Sequence, residues 1–152
     1  MEGGANTAGL AEFTEPVTGN PNAPLPLPPT VEMFEADSPE LVKEVIPSAN
    51  FVNAKQKPKF IVIHQWDAPE KKPTLQGVLA TWQIPDGIAP HNTVDGNGDL
   101  YQHVEEDERA QHAGSAGNDG IGIECNPINE EEMYLKIRQL VAAARKRWGD
   151  LS

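Results

Sequence analysis

Phe60-Ile61-Val62-Ile63-His64 is the stretch on which the fold turns. Its four apolar residues include three β-branched ones in a row, the pattern of a strand covered on both faces. In an open α/β sheet the ligand crevice lies beyond the carboxyl ends of the strands, so His64, which closes the run, is a candidate functional residue. Downstream, Ile121-Gly122-Ile123-Glu124-Cys125 predicts a second strand. Alternation puts Ile121, Ile123 and Cys125 on one face and Glu124 on the other. Between the two strands, Thr74 offers a cap for a helix through Leu75, Val78, Leu79 and Trp82, stopped by Pro85 and Gly87. His91 to Val94 and Leu100 to Val104 predict a hairpin about Asp95-Gly96-Asn97-Gly98.

The flanks are read in the same way. Met133, Ile137, Leu140, Val141, Ala144 and Trp148 recur at helical spacing between an expected cap at Asn129 and a stop at Gly149. Glu130 to Glu132 suit the positive end of that helix, and Arg145 to Arg147 its negative end. Ser38 followed by Pro39 predicts a short helix over 38–45. Glu105 to Glu108 read as a polar loop, and the glycine-rich 114–120 segment, lacking the Lys-Ser/Thr ending of a phosphate cradle, as a flexible lip.

The chain has 152 residues, 12 basic and 23 acidic, and a formal charge of −11. Its length suits one domain with a tail. Nucleic acid is not an expected partner, because duplex and RNA binders cluster Lys and Arg against phosphates. No run approaches the ~20 apolar residues of a membrane span, so no membrane is expected either. A single cysteine, Cys125, excludes an intrachain disulfide framework and is expected to be reduced and buried. The first residues lack the basic and apolar stretches of a secretory signal, so synthesis in a cytoplasm is the expectation. Six prolines between Pro16 and Pro29 mark residues 1–44 as an extended, acidic, Pro-rich arm that could dock on a protein partner, with a domain over 45–152. Acidic residues outnumber basic ones eight to two up to Gln56, so the leading part holds over half of the excess charge.

Four histidines, His64, His91, His103 and His112, share a short interval with Glu124. Imidazoles are common zinc ligands, but they serve as often as hydrogen-bonded structural residues, and no His-Glu-x-x-His or paired-cysteine spacing decides between these readings. Glu124 is open to two readings as well, a general base toward water or a salt-bridged carboxylate. His103 is expected to decorate a strand.

In order along the chain, Phe60-Ile61-Val62-Ile63-His64, Ala89-Pro90-His91-Asn92-Thr93-Val94, Gly98-Asp99-Leu100-Tyr101-Gln102, Arg109-Ala110-Gln111-His112-Ala113-Gly114 and Gly120-Ile121-Gly122-Ile123-Glu124 resemble the type 2 N-acetylmuramoyl-L-alanine amidases. That family includes phage endolysins and peptidoglycan recognition proteins. The resemblance implies an α/β fold with a mixed central sheet flanked by helices and a zinc ion in a groove on one face. It matches His64 to the first zinc ligand, Glu124 to the catalytic glutamate, and His91 and His112 to substrate-binding groove residues. The implied reaction is zinc-dependent hydrolysis of the amide between N-acetylmuramic acid and L-alanine of peptidoglycan, at the bacterial cell wall. Further zinc ligands in the family follow the long helix, so the domain is expected to be incomplete at its C-terminal end. Two other readings remain: a peptidoglycan-binding module without activity, and a phage assembly protein.

Overall fold

The structure, a computed structural model, describes residues 32–66, 71–112 and 119–152. The glycine-rich segment read as a lip lies mostly outside the described residues, as does the arm up to residue 31. Among the described residues seven strands and two helices follow in the order β1 (Val42–Val45), β2 (Phe51–Lys55), β3 (Phe60–Gln65), α1 (Leu75–Trp82), β4 (Asn92–Val94), β5 (Leu100–Gln102), β6 (Glu108–Ala110), β7 (Gly120–Cys125) and α2 (Glu130–Trp148). Five strands form one sheet in the order β1-β5-β4-β7-β3, and β2 pairs with β6 as a separate antiparallel ribbon. The large sheet is mixed: β3 and β4 both run parallel to β7, whereas β4 and β5 are antiparallel. This is the fold class expected from the sequence.

Alternation along β7 sorts the core into two layers. Ile121, Ile123 and Cys125 pack with Val94 and Leu100 against Met133, Ile137, Leu140 and Ala144 of α2. Each large apolar side chain buried here contributes about 1.5–3 kcal/mol. The opposite face is partly covered by α1, where Val78, Leu79 and Trp82 join Ile46, Trp66, Ala89 and Tyr101. Thr74 caps α1 as expected, its hydroxyl accepting from the Gly77 N–H at 3.2 Å. The hairpin turn also forms where predicted, with Asp95 Oδ1 accepting from the Asn97 and Asp99 N–H groups and Gly98 at φ +81°.

Three expectations are corrected. Residues 38–45 make one turn, in which Leu41 and Val42 N–H donate to the Ser38 carbonyl, and then enter β1. The free edge of β5 offers that segment a parallel ladder, which outweighs the weak helix preference of β-branched Val42 and Val45. At the start of α2, Asn129 makes no side-chain cap; Asn126 instead accepts from the Ile128 N–H and caps a short 3₁₀ turn that leads into the helix. The polar loop at Glu105–Glu108 hides a fully buried carboxylate, Glu106. Arg147 grips it through two hydrogen bonds of 2.9 Å and Trp148 Nε1 donates to it at 2.8 Å. Arg147 also donates to the Asp37 carbonyl at 2.8 Å, while the Asp37 carboxylate accepts from Gln102 Nε2 and the Glu106 N–H. The end of α2 is thereby tied to the segment preceding β1. Residue 152 lies alongside Phe60, with its N–H donating to the Lys59 carbonyl and its carbonyl accepting from the Ile61 N–H. Among the described residues no helix is long and apolar enough to cross a membrane.

Candidate active site

The parallel register of β3 and β7 pairs His64 with Glu124. Paired residues on neighbouring strands project to the same face, so the two side chains stand next to each other, with His64 Nδ1 4.0 Å from Glu124 Oε2. The row continues across the sheet, because Glu124 is also in register with Thr93 of β4, and Thr93 with Tyr101 of β5. This is the face opposite α2.

Glycine makes room for the rest of the site. The His112 ring lies over Gly122, where a Cβ would collide with it, and Phe60 covers Gly120 in the same way. His112 Nδ1 faces His64 Nε2 at 3.4 Å, and the two rings meet edge to face with centroids 5.6 Å apart. On its other side His112 meets the His91 ring at 5.5 Å.

The four histidines fall into two groups. His91 is fully buried; its Nδ1 accepts from the Gly122 N–H at 2.9 Å, which assigns the proton to Nε2, the donor to the Glu108 carbonyl at 2.8 Å. Both ring nitrogens are thus spent on the backbone, and His91 stands behind the groove it was expected to line. His103, equally buried, donates from Nδ1 to the Ile46 carbonyl and accepts at Nε2 from the Thr93 hydroxyl. Burial lowers the pKa of each to about 4. His64 and His112 keep a nitrogen turned toward each other. Burial lowers the pKa of both, that of His112 to about 3 with help from His91 and His64, against the opposing pull of the Gly120 carbonyl. Both rings are therefore neutral near pH 7.

Glu124 is 5 % exposed, and its Oε1 has no hydrogen-bond partner among the described residues. Burial raises its pKa well above the usual carboxylate range. An unpartnered buried carboxyl oxygen is costly to keep and marks a place where water, substrate or an ion completes the site. The chemistry of the donors suits zinc in part: two imidazoles held neutral and a carboxyl group are ligand types it takes, but among the described residues no group of three such side chains able to hold a metal is assembled. Cys125, the next residue along, is buried on the other face of β7, and its pKa is pushed up to about 12, so its thiol is inert. A separate cavity of about 490 Å³, lined in part by Phe34, Ser48, Phe51 and His103, includes none of His64, His91, His112 and Glu124.

Two parts of this arrangement had no reading in the sequence. Gly120-Ile121-Gly122 carried a signal, since glycine inside a strand marks close approach of another group. Gln56 carried none. Its amide donates to the Glu106 and Gly120 carbonyls and its oxygen accepts from the Asp119 N–H, which ties the segment after β2 to the start of β7.

Comparison with known proteins bears on the family and the fold. The sequence model of the family Amidase_2, described as N-acetylmuramoyl-L-alanine amidase, matches residues 54–152. No curated protein sequence matches the chain. Among solved structures, the catalytic domain of XlyA superposes with a TM-score of 0.58 at 22% identity, covering 73% of this chain and 80% of that one. A mutant endolysin from Bacillus subtilis gives 0.57 at 22% identity, with 73% and 79% covered. The Staphylococcus aureus hydrolase AmiA, solved in complex with its ligand, gives 0.59 at 17% identity, with 83% and 69% covered. At these identities the structural likeness establishes the fold.

Proposed function

As the chain belongs to the Amidase_2 family, the N-acetylmuramoyl-L-alanine amidases, we propose that it hydrolyses the amide joining N-acetylmuramic acid to L-alanine in peptidoglycan at the bacterial cell wall. The observation that carries the reading is the register pairing of His64 with Glu124, which stands a buried carboxyl group beside an imidazole on one open face. Glu124 is the general base. It takes a proton from the attacking water and delivers it to the departing amine, and burial, which raises its pKa, favours the protonated form that makes the delivery. His64 would hold zinc, which when bound polarises the scissile carbonyl and acidifies water. His112 closes the wall of the groove beside His64. His91 acts through His112 as a positioning residue, since its own nitrogens are taken by the backbone.

Incubation with purified peptidoglycan, followed by measurement of newly released L-alanine amino termini, tests the proposal. Glu124→Gln, close in shape, is expected to lower the rate by about 10²–10⁴-fold without loss of folding. A variant as fast as the parent overturns it. A second reading, a module that binds peptidoglycan without cutting it, draws on the lack of a three-donor group among the described residues. Sedimentation with wall material in the absence of released termini would favour that reading.

A further inference from the structure

We propose that the cavity between the segment preceding β1 and the β2–β6 ribbon receives a basic side chain, lysine or arginine, from an extended peptide of a partner protein. The site is separate from the groove of His64 and Glu124 and stands whether or not the chain cuts peptidoglycan. The cavity, of about 490 Å³, has two kinds of wall. Met33, Phe34 and Phe51 give it an apolar side, and Glu32, Glu105 and Glu108 make it acidic. No lysine or arginine is among its described lining residues. His103, which also lines it, is held neutral by burial, its two nitrogens spent on the Ile46 carbonyl and the Thr93 hydroxyl.

The chain answers this acidity only in part. Glu108 is 7 % exposed, and its Oε1 meets Lys55 Nζ at 2.7 Å. The same ammonium lies 3.4 Å from Asp107 Oδ2, so one exposed lysine serves two carboxylates. Burial raises the pKa of Glu105, and Asp107, Asp37 and Glu108 add to the rise against the pull of Lys55. A carboxyl group crowded by like charges gains most from an incoming cation. Lysine and arginine lay their aliphatic stems along apolar walls while the charged head meets carboxylates, and phenyl faces attract the cation too. The rim favours a peptide over a small amine. Among the described residues β2, which carries Phe51, pairs only with β6, so its other edge keeps backbone groups for an added strand. Val52, next along β2, is 51 % exposed. In such an addition the main-chain ladder gives affinity and the pocket gives specificity. The formal charge of −11 draws a basic partner from a distance.

The test titrates the whole chain with end-blocked Val-Thr-Lys-Thr-Val, its arginine and norleucine counterparts, and Nα-acetyl-lysine methylamide, and follows backbone amide spectra. The expected result is saturable binding of a basic pentapeptide, with Phe34, Phe51 and Glu105 shifting while His64 and Glu124 hold still. Norleucine, which keeps the stem and loses the charge, should bind about tenfold more weakly or worse. Glu32→Gln combined with Glu105→Gln should weaken the basic peptides by a similar factor and leave the norleucine peptide unaffected. No saturable shift at these amides, equal affinity for norleucine, or a double variant that binds like the parent overturns the proposal. The comparison of peptides on the unaltered chain stands even where the variant does not fold. Methylamide binding as tight as the pentapeptide would overturn the peptide as occupant, and so would soluble peptidoglycan fragments that shift the same amides as strongly. Release of L-alanine termini is read apart from all of these, so the hydrolytic reading and this one can fail independently.

Discussion

A methyl group at position 122 would meet the His112 ring. Since β7 is held between β3 and β4, the strand cannot retreat and the ring must move. Gly122→Ala is therefore expected to cost about 1–3 kcal/mol by overpacking and to reduce hydrolysis by separating His112 from His64. Urea unfolding and the termini assay read the two effects separately, and a variant equal to the parent in both would show that the ring does not rest there. Sequence made His64 and Glu124 legible because each closes a recognisable strand. It could not sort the four histidines, since the difference lies in partners remote along the chain: the Gly122 N–H and Glu108 carbonyl for His91, the Ile46 carbonyl and Thr93 hydroxyl for His103.

Among the elements, α2 shows how a clear reading still misses what a helix does. Periodicity identified its buried stripe, and the terminal Arg145-Lys146-Arg147 run fitted a favourable dipole contact. Arg147 instead neutralises a carboxylate buried 41 positions earlier. Burial raises the pKa of Glu106, and hydrogen bonds from Trp148 and Arg147 oppose that rise. Arg147→Ala strands this carboxylate and is expected to lose about 3–5 kcal/mol in denaturant unfolding. The double change Arg147→Met with Glu106→Leu should recover much of that loss; a single variant with unchanged stability would show that the clamp is idle. β1, β2 and β6 were illegible for a related reason. Each is short, and each exists because another strand offers it a ladder, a circumstance that local composition does not record.

For the whole molecule the buried imidazoles set the response to acid. His91, His103 and His112 have folded-state pKa values of about 4, 4 and 3, below the unfolded value of 6.5. The unfolded chain therefore binds more protons as pH drops, and the stability these residues give, complete above about pH 6.5, is lost toward pH 4. Glu124 works the other way, because its raised pKa makes folding take up a proton above about pH 4.5. His64, lowered by burial as well, adds to the loss, while Glu106, raised by burial, works with Glu124 against it; the strongly lowered imidazoles decide the direction, and stability falls as the pH drops toward 4. Melting temperatures measured from pH 7 to pH 4 should fall steadily; a flat profile would mean that the rings protonate in place.

The alternation along β7 carries one more consequence. Ile121, Ile123 and Cys125 speak to α2, while Gly120, Gly122 and Glu124 speak to the histidine side. One ribbon of backbone thus separates two design problems. An engineer wishing to harden this protein against heat has the helical layer as a workshop of its own, where side chains can be exchanged while the opposite wall, and whatever reaction it hosts, keeps its shape.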